Sequence, residues 1–181
     1  MHNIKLNRMI QAALFAALTA VFSQIAFPLP FTPVPVNLAT LAVMLAGGIL
    51  GLRFGLISQI IYVCLGLVGL PVFAQFTGGA GIVMGPTGGY IAGYLFTAAL
   101  AGLLFDRLSS PKPGTAVCAG IYAVSLLACY LPGTMWFMAV TGSQLLPSLM
   151  MCVVPFLPGD ALKIAAASLL TRRLRPALHS L

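Results

Sequence analysis

Apolar residues run through this chain in three long stretches that no charge interrupts. They cover residues 9–52, 54–105 and 113–159, with lengths of 44, 52 and 47 residues. One helical crossing of a bilayer takes about 20 apolar residues, so each stretch is long enough for two. Each also carries helix breakers. In the first, Pro28-Leu29-Pro30-Phe31-Thr32-Pro33-Val34-Pro35 sets four prolines within eight residues, and each proline removes a backbone donor and crowds the preceding turn. The second is broken across Gly78-Gly79-Ala80-Gly81 and Gly85-Pro86-Thr87-Gly88-Gly89. The third weakens at Leu131-Pro132-Gly133-Thr134 and again around Pro147, Pro155 and Pro158. The pattern predicts an all-α integral membrane protein, a single domain over residues 1–181. Its six transmembrane helices are expected at about 9–27, 36–52, 54–72, 89–105, 115–135 and 149–172.

Composition agrees. Of 181 residues, 6% are charged and 60% hydrophobic, and the mean hydropathy is +1.07. So few charges cannot clothe a water-soluble fold, and so apolar a chain does not stay disordered. The first apolar stretch exceeds the ~7–15 residues of a signal-peptide core and no convincing cleavage site follows, so it is read as a helix of the protein. Four cysteines (Cys64, Cys118, Cys129, Cys152) lie in apolar surroundings without CxxC spacing, as small buried hydrophobes rather than disulfide or zinc ligands. His2 and His179 lie in the tails.

Nine Lys and Arg face two acidic residues, a net charge of +7. The basic residues flank apolar runs instead of forming a water-facing patch, which points to lipid and away from nucleic acid. Six crossings put both termini, residue 53 and the 106–114 connection on one side. Lys5, Arg8, Arg53, Arg107, Lys112, Arg172, Arg173 and Arg175 fall there, while the opposite loops 28–35, 73–88 and 136–148 hold no basic residue. The positive-inside rule then places both termini in the cytoplasm.

The remaining basic residue is Lys163, three positions after Asp160 in Leu157-Pro158-Gly159-Asp160-Ala161-Leu162-Lys163. On a helix, Lys163 stands about 13 Å and Asp160 about 18 Å from the Arg172 anchor, on one face. Charges at that depth cost at least about 2.5–3.5 kcal/mol each, which makes them a functional hypothesis by default. A structural ion pair that locks the last helix is the plainer alternative, and Asp160 after Pro158-Gly159 also suits a helix start. Capping alone leaves Lys163 unexplained, so the pair is taken as a ligand site. The glycine-rich stretch does not match a phosphate-binding GxxxxGK[ST] loop, and no metal or nucleophile constellation accompanies the pair, so an enzyme is not expected. In the first helix, Ala12, Ala16 and Ala20 form a small-residue stripe that suits either packing within the bundle or docking of a separate membrane subunit. The aromatics Tyr62, Tyr90, Tyr94, Tyr122, Tyr130 and Trp136 are expected at interfaces or helix contacts.

Four blocks in order resemble one known family. They are Pro28-Leu29-Pro30-Phe31-Thr32-Pro33-Val34-Pro35-Val36, Gly66-Leu67-Val68-Gly69-Leu70-Pro71-Val72-Phe73-Ala74, Gly85-Pro86-Thr87-Gly88-Gly89-Tyr90 and Leu157-Pro158-Gly159-Asp160-Ala161-Leu162-Lys163. The chain is similar to the BioY family, the biotin-specific S components of energy-coupling factor (ECF) transporters. The resemblance implies a six-helix substrate-binding bundle in the plasma membrane, bacterial by that likeness, which captures biotin from outside. It also implies a transmembrane coupling subunit (EcfT type) and two ATPases as partners, met through Ala12, Ala16 and Ala20. Biotin is then substrate, not cofactor, and Asp160, Lys163 and Tyr90 carry over to its pocket. Residues 74–81 depart from the family's pattern, and a polar loop contact expected there is not assigned. The alternative is a self-contained proton-coupled carrier using Asp160, although no inverted repeat is evident.

Overall fold

A computed structural model describes residues 2–108 and 112–179, with side chains from residue 5 to residue 177. Residues 109–111 of the expected 106–114 connection, and the side chains of His2 and His179, lie outside the described part. Helix α1 spans His2–Gln24, starting earlier than the apolar run because the basic N-terminal residues extend it. The proline-rich stretch that follows is more than a break. It forms an antiparallel hairpin of β1 (Ala26–Leu29) and β2 (Thr32–Asn37), pairing Ala26 with Asn37, Phe27 with Val36 and Leu29 with Thr32. Prolines hold their own φ and push the preceding residue toward extended backbone. In a two-stranded sheet every strand is an edge, so the missing N–H groups are tolerated. The register shifts between Phe27 and Leu29, at Pro28.

Helix α2 runs over Ala39–Leu67 but is interrupted at Gly51, whose φ is +77° and ψ −176°. A Cβ added at Gly55 would stand 2.9 Å from the Ala46 carbonyl oxygen, whereas residues nine apart on a straight helix are about 13 Å apart. The chain therefore doubles back at Gly51. The turn was expected at Arg53; it falls two residues earlier, where glycine takes a positive φ without a Cβ clash. Beyond it, Gln59 bonds to Thr19 and Tyr62 to Ser23, so this half of α2 runs beside α1 in the same direction.

A short helix α3 (Ala80–Met84) precedes α4 (Gly88–Asp106), which lies within one residue of its expected ends. Helix α5 (Thr115–Thr141) runs straight through Pro132, six residues past its expected end, and closes on left-handed Gly142. Membrane helices absorb such prolines where neighbours compensate for the lost donor. The expected last helix is split into α6 (Leu145–Cys152), a 3-10 turn over Val154–Phe156, and α7 (Leu157–His179).

Among the described residues five segments are long and apolar enough to cross a membrane: 5–24, 39–67, 88–106, 115–141 and 145–177. The second of these is the one that doubles back. Helices α2 and α4 approach closely because Gly47 lies on the Ala98 backbone and Gly102 on that of Leu52, the small-residue packing that membrane helices favour. Large apolar side chains such as Met9, Leu14, Leu131, Met135, Leu162 and Leu169 are left exposed on the outside, as expected of a surface bathed in lipid.

Candidate ligand-binding site

The 3-10 turn before α7 lets that helix begin at Leu157, with Pro158 in its first turn where no intrahelical donor is needed. Asp160 and Lys163 then emerge on one face and are buried, at 4% and 6% exposure. Lys163 Nζ donates to Asp160 Oδ1 at 2.8 Å and to Thr40 Oγ1, on α2, at 3.1 Å. The Tyr130 hydroxyl, on α5, donates to Asp160 Oδ2. Three helices thus converge on one carboxylate and one ammonium. An ammonium has three donors and a carboxylate about four acceptor sites, so each keeps bonding capacity beyond these partners. Both carboxylate oxygens are held by side chains, and Asp160 lies in the first turn of α7, where the helix start was expected.

The pair faces a cavity of about 180 Å³, larger than the ~150 Å³ that admits a benzene-sized molecule. Its wall includes the aromatic rings of Tyr62, Phe73, Tyr90, Tyr94 and Phe156 beside Asp160 and Lys163. Tyr62 meets Phe73 edge-on at 5.6 Å and Tyr94 at 6.2 Å. The Tyr90 hydroxyl is engaged elsewhere: it shares a 3.2 Å bond with Thr134 and donates to the Cys152 carbonyl at 3.4 Å, at the end of α6. Tyr90 therefore offers the cavity mainly its ring. Gly133 leaves room for that ring, which fills the space a side chain there would take. Pro33–Pro35 of β2 and Phe73, Ala74, Gln75 and Thr77 also line it. All three residues expected at the pocket thus line one cavity. Tyr130 and Thr40 were not foreseen, because a neutral hydroxyl inside an apolar run gives no signal of its own. Among the described residues no three His, Cys, Asp or Glu gather closely enough to hold a metal ion.

Comparison with known proteins follows the same line. The BioY family model matches residues 1–180. This chain belongs to the BioY family. A probable biotin transporter BioY of Pyrococcus horikoshii is 36% identical over 172 residues, 95% of this chain and 98% of that protein. A biotin transporter BioY of Thermotoga maritima is 35% identical over 176 residues, covering 94% and 96% of the two chains. The crystal structure of an S component for biotin from an ECF-type ABC transporter superposes with a TM-score of 0.89 at 30% identity, covering 97% of this chain and 94% of that one.

Of the two roles weighed for the alanine stripe of α1, burial favours packing within this BioY-family bundle: Ala12 and Ala16 are buried and Ala20 is half-buried. Ala13 and Ala17, with the same four-residue spacing, are exposed beside Ile10, Leu14 and Val21. Near the other end of α7 a second buried cation was missed as such. Arg175, counted among the flanking charges, is only 6% exposed. Its guanidinium donates to the carbonyls of Gly48 at 2.5 Å and Phe105 at 3.1 Å and to Asp106 Oδ1 at 3.2 Å, and lies 5.3 Å from the Phe105 ring centre. Asp106 Oδ2 in turn accepts the Leu52 N–H at 2.8 Å, just past the Gly51 turn.

Proposed function

We propose that this chain is the biotin-binding S component of an ECF-type uptake transporter in the plasma membrane. The observation that carries the reading is the buried Asp160–Lys163 pair, with unused bonding capacity, on the wall of an aromatic cavity in a BioY-family bundle. Biotin offers two ureido N–H donors, a ureido carbonyl, an apolar sulfur-containing ring and chain, and a carboxylate. Asp160 accepts from a ureido N–H, Lys163 donates to a ligand oxygen, and the aromatic rings bury the sulfur ring. Thr40 and Tyr130 hold the two charges in position, Tyr90 forms wall, and the hairpin and the 73–77 turn close the mouth. With the two halves of α2 counted as separate crossings there are six, which keeps both termini and most basic residues on the cytoplasmic side.

Energy for uptake then comes from a separate transmembrane coupling subunit and two ATPases. The docking face on α1 is the exposed Ala13–Ala17 side rather than Ala12, Ala16 and Ala20, since only the former is open to a second helix. The test is a biotin titration of the purified, ligand-free chain in detergent, repeated with Asp160→Asn. Saturable binding weakened by about 100-fold or more in the variant is the expected result, because the change leaves a buried ammonium without its counter-charge. A folded parent that binds no biotin would overturn the reading. A variant that binds as tightly as the parent would move the pocket away from Asp160.

A further inference from the structure

Gln24, the last residue of α1, sets its side-chain amide inside the curve of residues 71–76. Its Nε2 donates to the carbonyls of Phe73 at 3.1 Å, Pro71 at 3.3 Å and Ala20 at 3.2 Å. Its Oε1 accepts the Phe76 N–H at 2.8 Å. One planar amide thereby grips the segment on both sides of Ala74-Gln75. Between those grips Gln75 and Phe76 both take left-handed backbone, with φ of +60° and +56°. Side-chain-bearing residues seldom adopt that region, and such conformations persist where the surroundings over-determine them. The rest of the turn is braced by Phe73 N–H on the Thr77 carbonyl at 2.9 Å and the Thr77 hydroxyl on the Ala74 carbonyl at 2.8 Å. The result faces two ways: Phe73, Ala74, Gln75 and Thr77 line the cavity, while Phe76 is 72% exposed.

We infer that Gln24 is a positioning residue for ligand retention: it holds the 73–77 turn closed over the cavity and so sets how slowly a bound ligand leaves. It does not line the cavity itself and acts through its bonds to Phe73, which does, and to Phe76, next to Gln75. An amide is required, because donors must meet two loop carbonyls while an acceptor meets a loop N–H. A glutamate supplies only the acceptor and a methionine neither. The identity of the ligand rests on the biotin reading; the grip on the turn does not.

Two readouts on the full chain separate the claims. A nitroxide at Phe76→Cys, with the exposed Cys64→Ser, reports motion of the turn without ligand. Gln24→Met is expected to mobilise the label, and Gln24→Glu to do so less. Chase of bound biotin is expected to run about tenfold faster from Gln24→Met with little change in association rate, as interface effects fall mainly on dissociation. Should the methionine variant fail to fold, the glutamate variant carries both readouts. An immobile label overturns the inference whether or not dissociation changes, since the effect would then bypass the turn. A mobile label with unchanged dissociation overturns the retention role and leaves Gln24 as support for the end of α1. A parent chain that binds no biotin defeats the proposed substrate, while the label still decides the grip on the turn.

Discussion

In the first turns of α7, Asp160 and Lys163 meet two hydroxyls and a cavity; about 18 Å along the same helix, Arg175 meets two backbone carbonyls and the carboxylate of Asp106. Both cations are buried and both have an acidic partner. They differ in what lies beside them. Arg175 places three of its five donors on the Gly48 and Phe105 carbonyls and Asp106, near the Gly51 turn and the end of α4, where it ties three helices together and does not line the cavity. Among the described residues Lys163 keeps one donor and Asp160 keeps acceptor sites beside an opening large enough for a small molecule. Burial of a charge pair is therefore weak evidence for a site, and unused hydrogen-bonding capacity beside a cavity is the stronger sign.

The largest expected effect comes from stranding one charge. Lys163→Met should lower biotin affinity by about 3 kcal/mol or more, roughly 100-fold, as read by equilibrium dialysis. Next, Arg175→Met should cost about 1–3 kcal/mol of stability by leaving the Gly48 and Phe105 carbonyls unpaired. It should leave biotin affinity within about threefold of the parent, inside the scatter of an indirect effect. Thermal unfolding in detergent and a parallel titration check both halves, and loss of binding here would erase the distinction between the two ends. Tyr130→Phe removes one donor to Asp160 and should weaken binding about tenfold, or ~1.4 kcal/mol, by the same titration. Smallest is the effect on stability of replacing both cavity charges at once. Asp160→Leu with Lys163→Met should unfold within about 1 kcal/mol of the parent, since apolar groups often replace a buried pair without loss. A marked loss of stability in that double variant would make the pair a structural lock.

Much of this was legible because charge is so scarce. Asp160 and Lys163 stand out in an apolar run, and the breakers at residues 28–35 and 78–89 marked real interruptions. Pro132 misled because a breaker's effect depends on its neighbours, and α5 carries on past it. The proline-rich hairpin was seen only as an end of helix, since prolines forbid a helix without saying which extended partner they will find. On α1 the spacing supports two alanine stripes, 12/16/20 and 13/17, about 100° apart around the helix. Which one faces inward depends on Phe15 and Thr19, both buried with Ala12 and Ala16. Thr40, Tyr130 and Gln24 matter through partners far away in sequence, so nothing local reveals them.

The three-residue spacing of Asp160 and Lys163 also bears on how the chain is made. Thr40 belongs to an early helix, but the 2.8 Å contact between the two charges lies within a single turn of α7. Asp160 and Lys163 thus supply each other's counter-ion within one helix turn, and the two charges can enter lipid as a neutral pair without waiting for a partner helix. Two charges placed on separate helices would each cross the interface alone, at a cost of about 2.5–3.5 kcal/mol apiece. Biogenesis as well as recognition favours keeping this acid and this base one turn apart.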